Sequence, residues 1–202
     1  VCLVALNLFQ TYQFKLGVID GERMTKAYYF KTFGKTSVTE EDKDLLLVKR
    51  AFSEEGEILD RPGRYSMEPW VDENYDGLEN GVFALNSKSM FTPALERTYS
   101  DITKHDHAWI KVSARIMKLD SSKSLPPAIV LHFSHKAKPY KYVTHNWPIE
   151  SLKMGEWSAL SKDYITPNVR STSDTVKVYI WNQGGGNYQL DDLKIDLFQP
   201  NF

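Results

Sequence analysis

Between Asp174 and Leu197 the chain reads DTVKVYIWNQGGGNYQLDDLKIDL, two alternating apolar runs around a glycine cluster. Val176, Val178 and Ile180 fall on one side of the first run, and Lys177, Tyr179 and Trp181 on the other. Gln183 to Asn187 then interrupts, and a second run extends from Tyr188 to Leu197. Period-two alternation on both sides of a Gly/Asn turn predicts a β-hairpin. In the second run the apolar phase slips: Tyr188 and Leu190 are even, whereas Leu193, Ile195 and Leu197 are odd. One extra residue at Asp191-Asp192, a β-bulge, accounts for the slip. The rest of the chain must supply the sheets that such a hairpin completes.

From Tyr65 onward it does. Gly81 to Asn86 predicts a short strand after a turn-rich stretch at Glu73 to Gly77. Ala108, Ile110, Val112, Ala114 and Ile116 alternate with Trp109, Lys111, Ser113, Arg115 and Met117. Further strands are expected over Ala128 to Ser134, Tyr140 to Thr144, Trp157 to Leu160 and Tyr164 to Thr166. Short strands with turn signals between them, and no long helical pattern, predict a mainly β sandwich.

Residues 1–52 read differently. Met24, Ala27, Tyr28, Phe30 and Phe33 recur at helical spacing over 21–33 and stop at Gly34. Thr39-Glu-Glu-Asp42 supplies a cap and first-turn acids for a second helix. Residues 1–9 are apolar apart from Asn7, and too few to cross a bilayer alone. They fit either a buried strand or the trailing end of a membrane helix. Residues 53–64 are polar and broken by Gly and Pro, which predicts a linker. The expected division is therefore a helical segment over 1–52, a linker over 53–64 and a β domain over 65–202. A chain that opens on Val1 rather than Met is expected to be a fragment or a processed form.

Charge narrows the function. With 25 basic and 26 acidic residues the net charge is −1, which argues against a nucleic-acid partner. The single cysteine, Cys2, excludes an intrachain disulfide and a multi-cysteine zinc site.

Two resemblances sharpen the picture. Gly81-Val-Phe-Ala-Leu85, Trp109 to Arg115, Gly155-Glu-Trp-Ser-Ala-Leu160 and Tyr188 to Ile195 together resemble the galactose-binding-like jelly rolls of bacterial carbohydrate-binding modules. That resemblance implies a jelly-roll β-sandwich, a glycan as partner and a non-catalytic role. It also implies a structural calcium site, with Glu68 and Asp192 at the matching positions and Asp191 in reserve. The bulge explains the Asp191-Asp192 step with or without such an ion. Leu8 to Phe14 with Arg23 to Phe30 resembles the segment that follows the last membrane helix of glycosyltransferase-like multi-pass bacterial proteins. It implies a periplasmic or extracytoplasmic tail tethered to the inner membrane, whose partner is its own membrane-embedded domain. Any transferase chemistry would then lie outside this chain.

The strand alternation adds candidate ligand contacts. Trp109 and Arg115 oppose one inward row, Tyr179 and Trp181 oppose another, and Tyr142 lies in a neighbouring strand. Aromatic rings stack on the apolar faces of sugars, so these five residues are the expected glycan platform. The alternative is a structural or interaction module, accessory to a membrane glycosyltransferase, whose aromatic face packs against the N-terminal helices. Catalytic signals are sparse. His105 and His107 share a face, and His132 and His135 form a second close pair, but no third ligand and no HExxH follows. Carboxylate pairs for glycoside hydrolysis can be drawn from any acid-rich chain, so a hydrolase is the least favoured reading. Gly184 to Gly186 has no following helix and no Gly-Lys-Ser/Thr, which excludes a phosphate loop.

Overall fold

A computed structural model of the chain describes residues 2–47, 63, 65–70 and 82–201. It divides into two compact units, residues 1–52 and 53–201. The expected linker, Gly63 apart, and the turn at Glu73 to Gly77 lie outside the described residues.

The first unit holds α1 (Cys2–Lys15), α2 (Lys26–Thr32) and α3 (Glu40–Lys43). The strand alternative for residues 1–9 is overturned, because residues 2–9 lie in α1. Leu occurs three times in α1 against one Val and one Thr, and Leu is a better helix former than the β-branched residues. α2 starts later than the spacing suggests. The Asp20 carboxylate accepts from the backbone N–H of Glu22 and Arg23, which holds that stretch in a turn. Thr25 then caps the helix by accepting from Tyr28 N–H at 3.0 Å. Thr39, the expected cap, forms a capping box with Asp42, and α3 ends at Lys43. The packing is polar at its centre. Buried Gln13 donates to the carbonyls of Thr32 and Lys35, Tyr28 donates to the carbonyl of Val18, and Asp42 holds Lys35 at 2.9 Å.

The second unit is a β-sandwich. Its strands are β1 (Tyr65–Pro69), β2 (Phe83–Leu85), β3 (Leu95–Thr98), β4 (Trp109–Lys118), β5 (Ala128–His135), β6 (Lys138–Asn146), β7 (Trp157–Ile165), β8 (Thr175–Trp181) and β9 (Tyr188–Pro200). A short helix, α4 (Tyr99–Ile102), follows β3. Among the described residues, one sheet has five strands, in the order β1-β9-β4-β7 with β2 also on β9. The other has four, in the order β3-β8-β5-β6. All strand pairs are antiparallel. The core lies between the sheets. Ile110, Val112 and Ile116 of β4, and Leu190, Ile195 and Leu197 of β9, face Ile129, Leu131 and Phe133 of β5 and Val176, Val178 and Ile180 of β8.

Three sequence expectations change. The Asp174–Leu197 stretch is not a hairpin: β8 belongs to the four-stranded sheet and β9 to the five-stranded one. The glycine cluster is an arch between sheets. Both strands keep an apolar face because both line the same core from opposite sides. The two runs expected at 157–166 are one strand, β7, whose polar centre at Ser161 to Asp163 pairs with β4 without interruption. β1 and β3 lie outside the expected strands, since β1 is short and largely exposed and β3 is four residues long with Leu95 alone buried, so neither carries much alternation. The bulge is present. β4 advances two residues, from Ser113 to Arg115, while β9 goes back three, from Lys194 to Asp191. Asp192 takes up the extra residue in the left-handed region, at φ 53°.

Candidate functional site

The outer face of the four-stranded sheet is built by the residues that alternate with its core rows. Trp181, Ala128 and Asn146 make one row across β8, β5 and β6. Tyr179, Val130 and Thr144 make the next, and Lys177, His132 and Tyr142 the third. Residues 90–92 run beside β8 and add one more ring. Asn182 N–H donates to the Met90 carbonyl at 2.7 Å, and Thr92 N–H to the Ile180 carbonyl at 3.1 Å. Phe91 is thereby bridged to Trp181 and stacks on it, with centroids 6.0 Å apart and planes at 12°. Phe91 also meets Tyr179 edge-on, and His132 meets Tyr142 edge-on.

The result is an aromatic strip with open flanks. Phe91 is 52% exposed and Tyr142 48%, while Tyr179 and Trp181 between them are half-buried. Burial and a hydrogen bond with Tyr142 push the Tyr179 hydroxyl up to about 12, so it stays a neutral donor. Burial, and then the nearby Lys177 ammonium, hold His132 below the usual imidazole range. Polar groups border the rings. Gln183 Nε2 donates to Asn146 Oδ1 at 2.8 Å, and Lys177 pairs with Glu96 at 2.9 Å. Trp181 Nε1 and His132 Nε2 have no hydrogen-bond partner among the described residues. Flat rings with peripheral amides and hydroxyls can stack on a sugar and read its hydroxyls.

Of the five expected ligand residues, the structure brings together Tyr142, Tyr179 and Trp181. Trp109 and Arg115 lie on β4, on the outer face of the opposite sheet. Trp109 is 1% exposed and sits between Ile165 and Phe198 in its row, so it presents no ring to a ligand. Arg115 is accessible. Its Nη2 donates to Asp191 at 2.6 Å, its Nε lies 2.7 Å from Asp192, and its guanidinium stacks over Trp157 at 4.9 Å. The hydrogen bond to Asp191 raises the Arg115 pKa, and the same contact lowers that of Asp191.

The expected calcium pair does not come together. Glu68 pairs with Leu197 of β9, five residues from Asp192, which is about 16 Å along a strand. Glu68 instead accepts from Gln199 Nε2, and Asp192 faces Arg115. Among the described residues no group of three or more His, Cys, Asp or Glu could hold a metal ion. The histidine pairs separate too. His107 is buried against Asp106, with Nδ1 2.7 Å from Oδ1, while His105 is exposed. His132 belongs to the aromatic strip, and His135 lies 2.6 Å from the buried Asp174 carboxylate.

Phe91, His132 and Trp157 were not among the expected ligand residues. Phe91 sits in Met90-Phe-Thr-Pro93, which has no alternation, and its place beside Trp181 comes only from an isolated bridge. The phase of β5 does carry His132, since it is out of step with Leu131 and Phe133.

No protein-family model matches the chain, and neither does any curated protein sequence. Solved structures do resemble it. The CBM22-1 xylan-binding domain of Paenibacillus barcinonensis Xyn10C is 8% identical, with a TM-score of 0.37, over 65% of this chain and 96% of that one. A family 16 carbohydrate-binding module is 13% identical, with a TM-score of 0.35, over 65% of this chain and 85% of that one. The infectious bursal disease virus VP2 subviral particle is 11% identical, with a TM-score of 0.41, over 68% of this chain and 32% of that one. At such identities and scores these likenesses carry no argument about function.

Proposed function

We propose that the sandwich is a non-catalytic carbohydrate-binding module of the bacterial cell envelope. One observation carries this reading: Phe91 and Tyr142 are about half exposed on either side of Tyr179 and Trp181 on a single sheet face. The rings supply apolar stacking area, and Asn146, Gln183 and the tyrosine hydroxyls supply hydrogen bonds around it. A glycan array probed with the whole chain tests it. Wild type is expected to retain oligosaccharides, and Trp181→Ala and Tyr142→Ala each to lose at least about tenfold in affinity. Tyr142 is exposed enough to be replaced without disturbing the core. No retention by wild type, or unchanged retention by both variants, sinks the reading.

A membrane setting is the second part, and α1 supports it. Its burial is reversed: Gln13 is buried, while Leu3, Val4, Leu8 and Phe14 are 81%, 64%, 67% and 59% exposed. Phe30 and Phe33 nearby are also exposed, with Lys15, Lys26, Lys31 and Lys35 among them. No helix among the described residues is long and apolar enough to cross a membrane. A helix that turns leucine outward and glutamine inward matches a lipid environment better than water. The reading is of an extracytoplasmic tail tethered to the inner membrane beside its own membrane-embedded domain. In a flotation assay the chain is expected to rise with phosphatidylcholine–phosphatidylglycerol vesicles, and Leu8→Lys/Phe14→Lys to stay mostly at the bottom. Equal flotation of the two, or a dimer that hides these residues in solution, overturns it.

A further inference from the structure

The outer face of the five-stranded sheet carries a second constellation. Ser113 of β4 faces Ser161 of β7, and Arg115 faces Ala159. Four small or fixed side chains thus leave a hollow where a regular sheet would carry bulk. The β9 bulge walls one side of it, because Asp192, at φ 53°, places its carboxylate 2.7 Å from Arg115 Nε. The hollow measures about 360 Å³ and is lined by Ser113, Arg115, Ala159, Ser161 and Asp192, with Ala114 and Leu160. That volume falls within the roughly 300–1,000 Å³ of small-molecule sites.

Its chemistry selects a ligand class. The Ser113 and Ser161 hydroxyls have no hydrogen-bond partner among the described residues, so they are free to donate and accept. Arg115 is clamped between Asp191 and Asp192 and laid on the Trp157 ring. Its fork is therefore ordered before any ligand arrives, which lowers the entropy lost on binding. Two carboxylates against one guanidinium disfavour an anion. Arg115 lies over one face of the Trp157 ring, so that face is closed to a flat aromatic guest. Hydroxyl, carboxylate and guanidinium groups around an alanine floor fit a neutral ring bearing several hydroxyls.

The geometry points to a second saccharide subsite here, for a single neutral pyranose unit, on the face opposite the aromatic strip. It rests on the reading of the sandwich as a glycan binder, but uses none of the same residues. The two subsites differ in kind. The aromatic strip stacks along a chain, whereas the hollow reads the hydroxyls of one ring. A module with both holds two separate saccharide chains on opposite sides.

Amide NMR titration of the whole chain with xylohexaose, cellohexaose and mannohexaose, each in turn, separates the subsites. At least one hexasaccharide is expected to move the amides of Ser113, Ala159, Ser161 and Asp192 as one set. Ser161→Tyr, which fills the hollow from an exposed position, is expected to weaken that set at least about tenfold and to leave the Tyr142 and Tyr179 set unchanged. Arg115→Lys keeps the charge but loses the stacked fork, and is expected to weaken the first set alone. Movement confined to the Tyr142 and Tyr179 set overturns the second subsite and leaves the aromatic platform standing. Movement confined to the hollow does the reverse. Movement at neither face overturns both, and equal weakening of both sets by Ser161→Tyr overturns the independence of the hollow.

Discussion

Replacing Gly184 with alanine is expected to destabilise the sandwich by about 3 kcal/mol, near the top of the range for overpacked sites. A Cβ at Gly184 would meet the Leu125 backbone nitrogen at 2.4 Å and its carbonyl oxygen at 2.7 Å. These are main-chain atoms and cannot swing aside. They belong to the loop on which the arch between sheets rests. Asp120 of that loop accepts from the backbone and side-chain N–H of Asn187, and Leu119 N–H donates to the Asn187 carbonyl at 2.9 Å. Inside the arch, Asn182 Nδ2 donates to the Gly186 carbonyl at 2.7 Å. A shift at Gly184 must therefore strain both sheets at their joint. Gly185 is the control. It sits at φ 66° with its nearest neighbour 3.6 Å from an added Cβ, so alanine there costs about 1 kcal/mol through backbone conformation alone. All five tryptophans lie at or beyond position 70, so tryptophan fluorescence during urea unfolding reports on this unit. Equal midpoints for Gly184→Ala and Gly185→Ala would show that the close approach does not hold.

Replacing Asp174 with asparagine is expected to remove about 3 kcal/mol at neutral pH. The Asp174 carboxylate is fully buried, accepts from Tyr140 hydroxyl at 3.0 Å and Arg170 N–H at 2.8 Å, and meets His135 Nδ1 at 2.6 Å. Asparagine matches its shape but turns one acceptor into a donor that faces other donors. The pH dependence follows from the same contacts. Burial alone would raise the Asp174 pKa, but hydrogen bonds from His135, Arg170 and Tyr140 outweigh it and the pKa is lowered. Asp120 is lowered to about 2, chiefly by its hydrogen bond from Ser122. A carboxylate lowered on folding contributes stability above its unfolded value, near 4, and loses it as pH falls through the folded value. Wild type should therefore weaken between about pH 4 and pH 2. Asp174→Asn should start lower at pH 7 and fall less steeply, with the Asp120 share remaining. Urea midpoints at pH 7 and pH 3 check this, and a variant as stable as wild type at pH 7 would refute it.

The sandwich was legible wherever one face of a strand is buried. β4, β5 and β8 show it in their alternation, and the bulge shows in the phase slip at Asp191-Asp192. Alternation states which residues share a face, but not which sheet a strand joins. A glycine cluster between two alternating runs suits a hairpin and an inter-sheet arch alike, because both reverse the chain. That ambiguity put Trp109 and Arg115 on the same platform as Tyr179 and Trp181. The same gap allowed Glu68 and Asp192 to be paired, although β1 meets β9 far from the bulge. The buried Gln13 of α1 lay beyond a hydropathy pattern, since its partners are the backbone carbonyls of Thr32 and Lys35.

The register of β1 on β9 has a mechanical consequence. Tyr65, at the start of β1, lies opposite Pro200, at the end of β9. A pull applied between these two positions does not shear the ladder. It peels β1 away from the Tyr65–Pro200 pair inward, rupturing a few hydrogen bonds at a time. Resistance to such a load is set by the weakest rung and not by the whole strand. The glycine arch starts at the other end of β9, beyond Tyr188, about 40 Å from Pro200 along the strand. Tension on the entry and exit of the sandwich would therefore loosen its edge strand long before it disturbed the joint between the sheets.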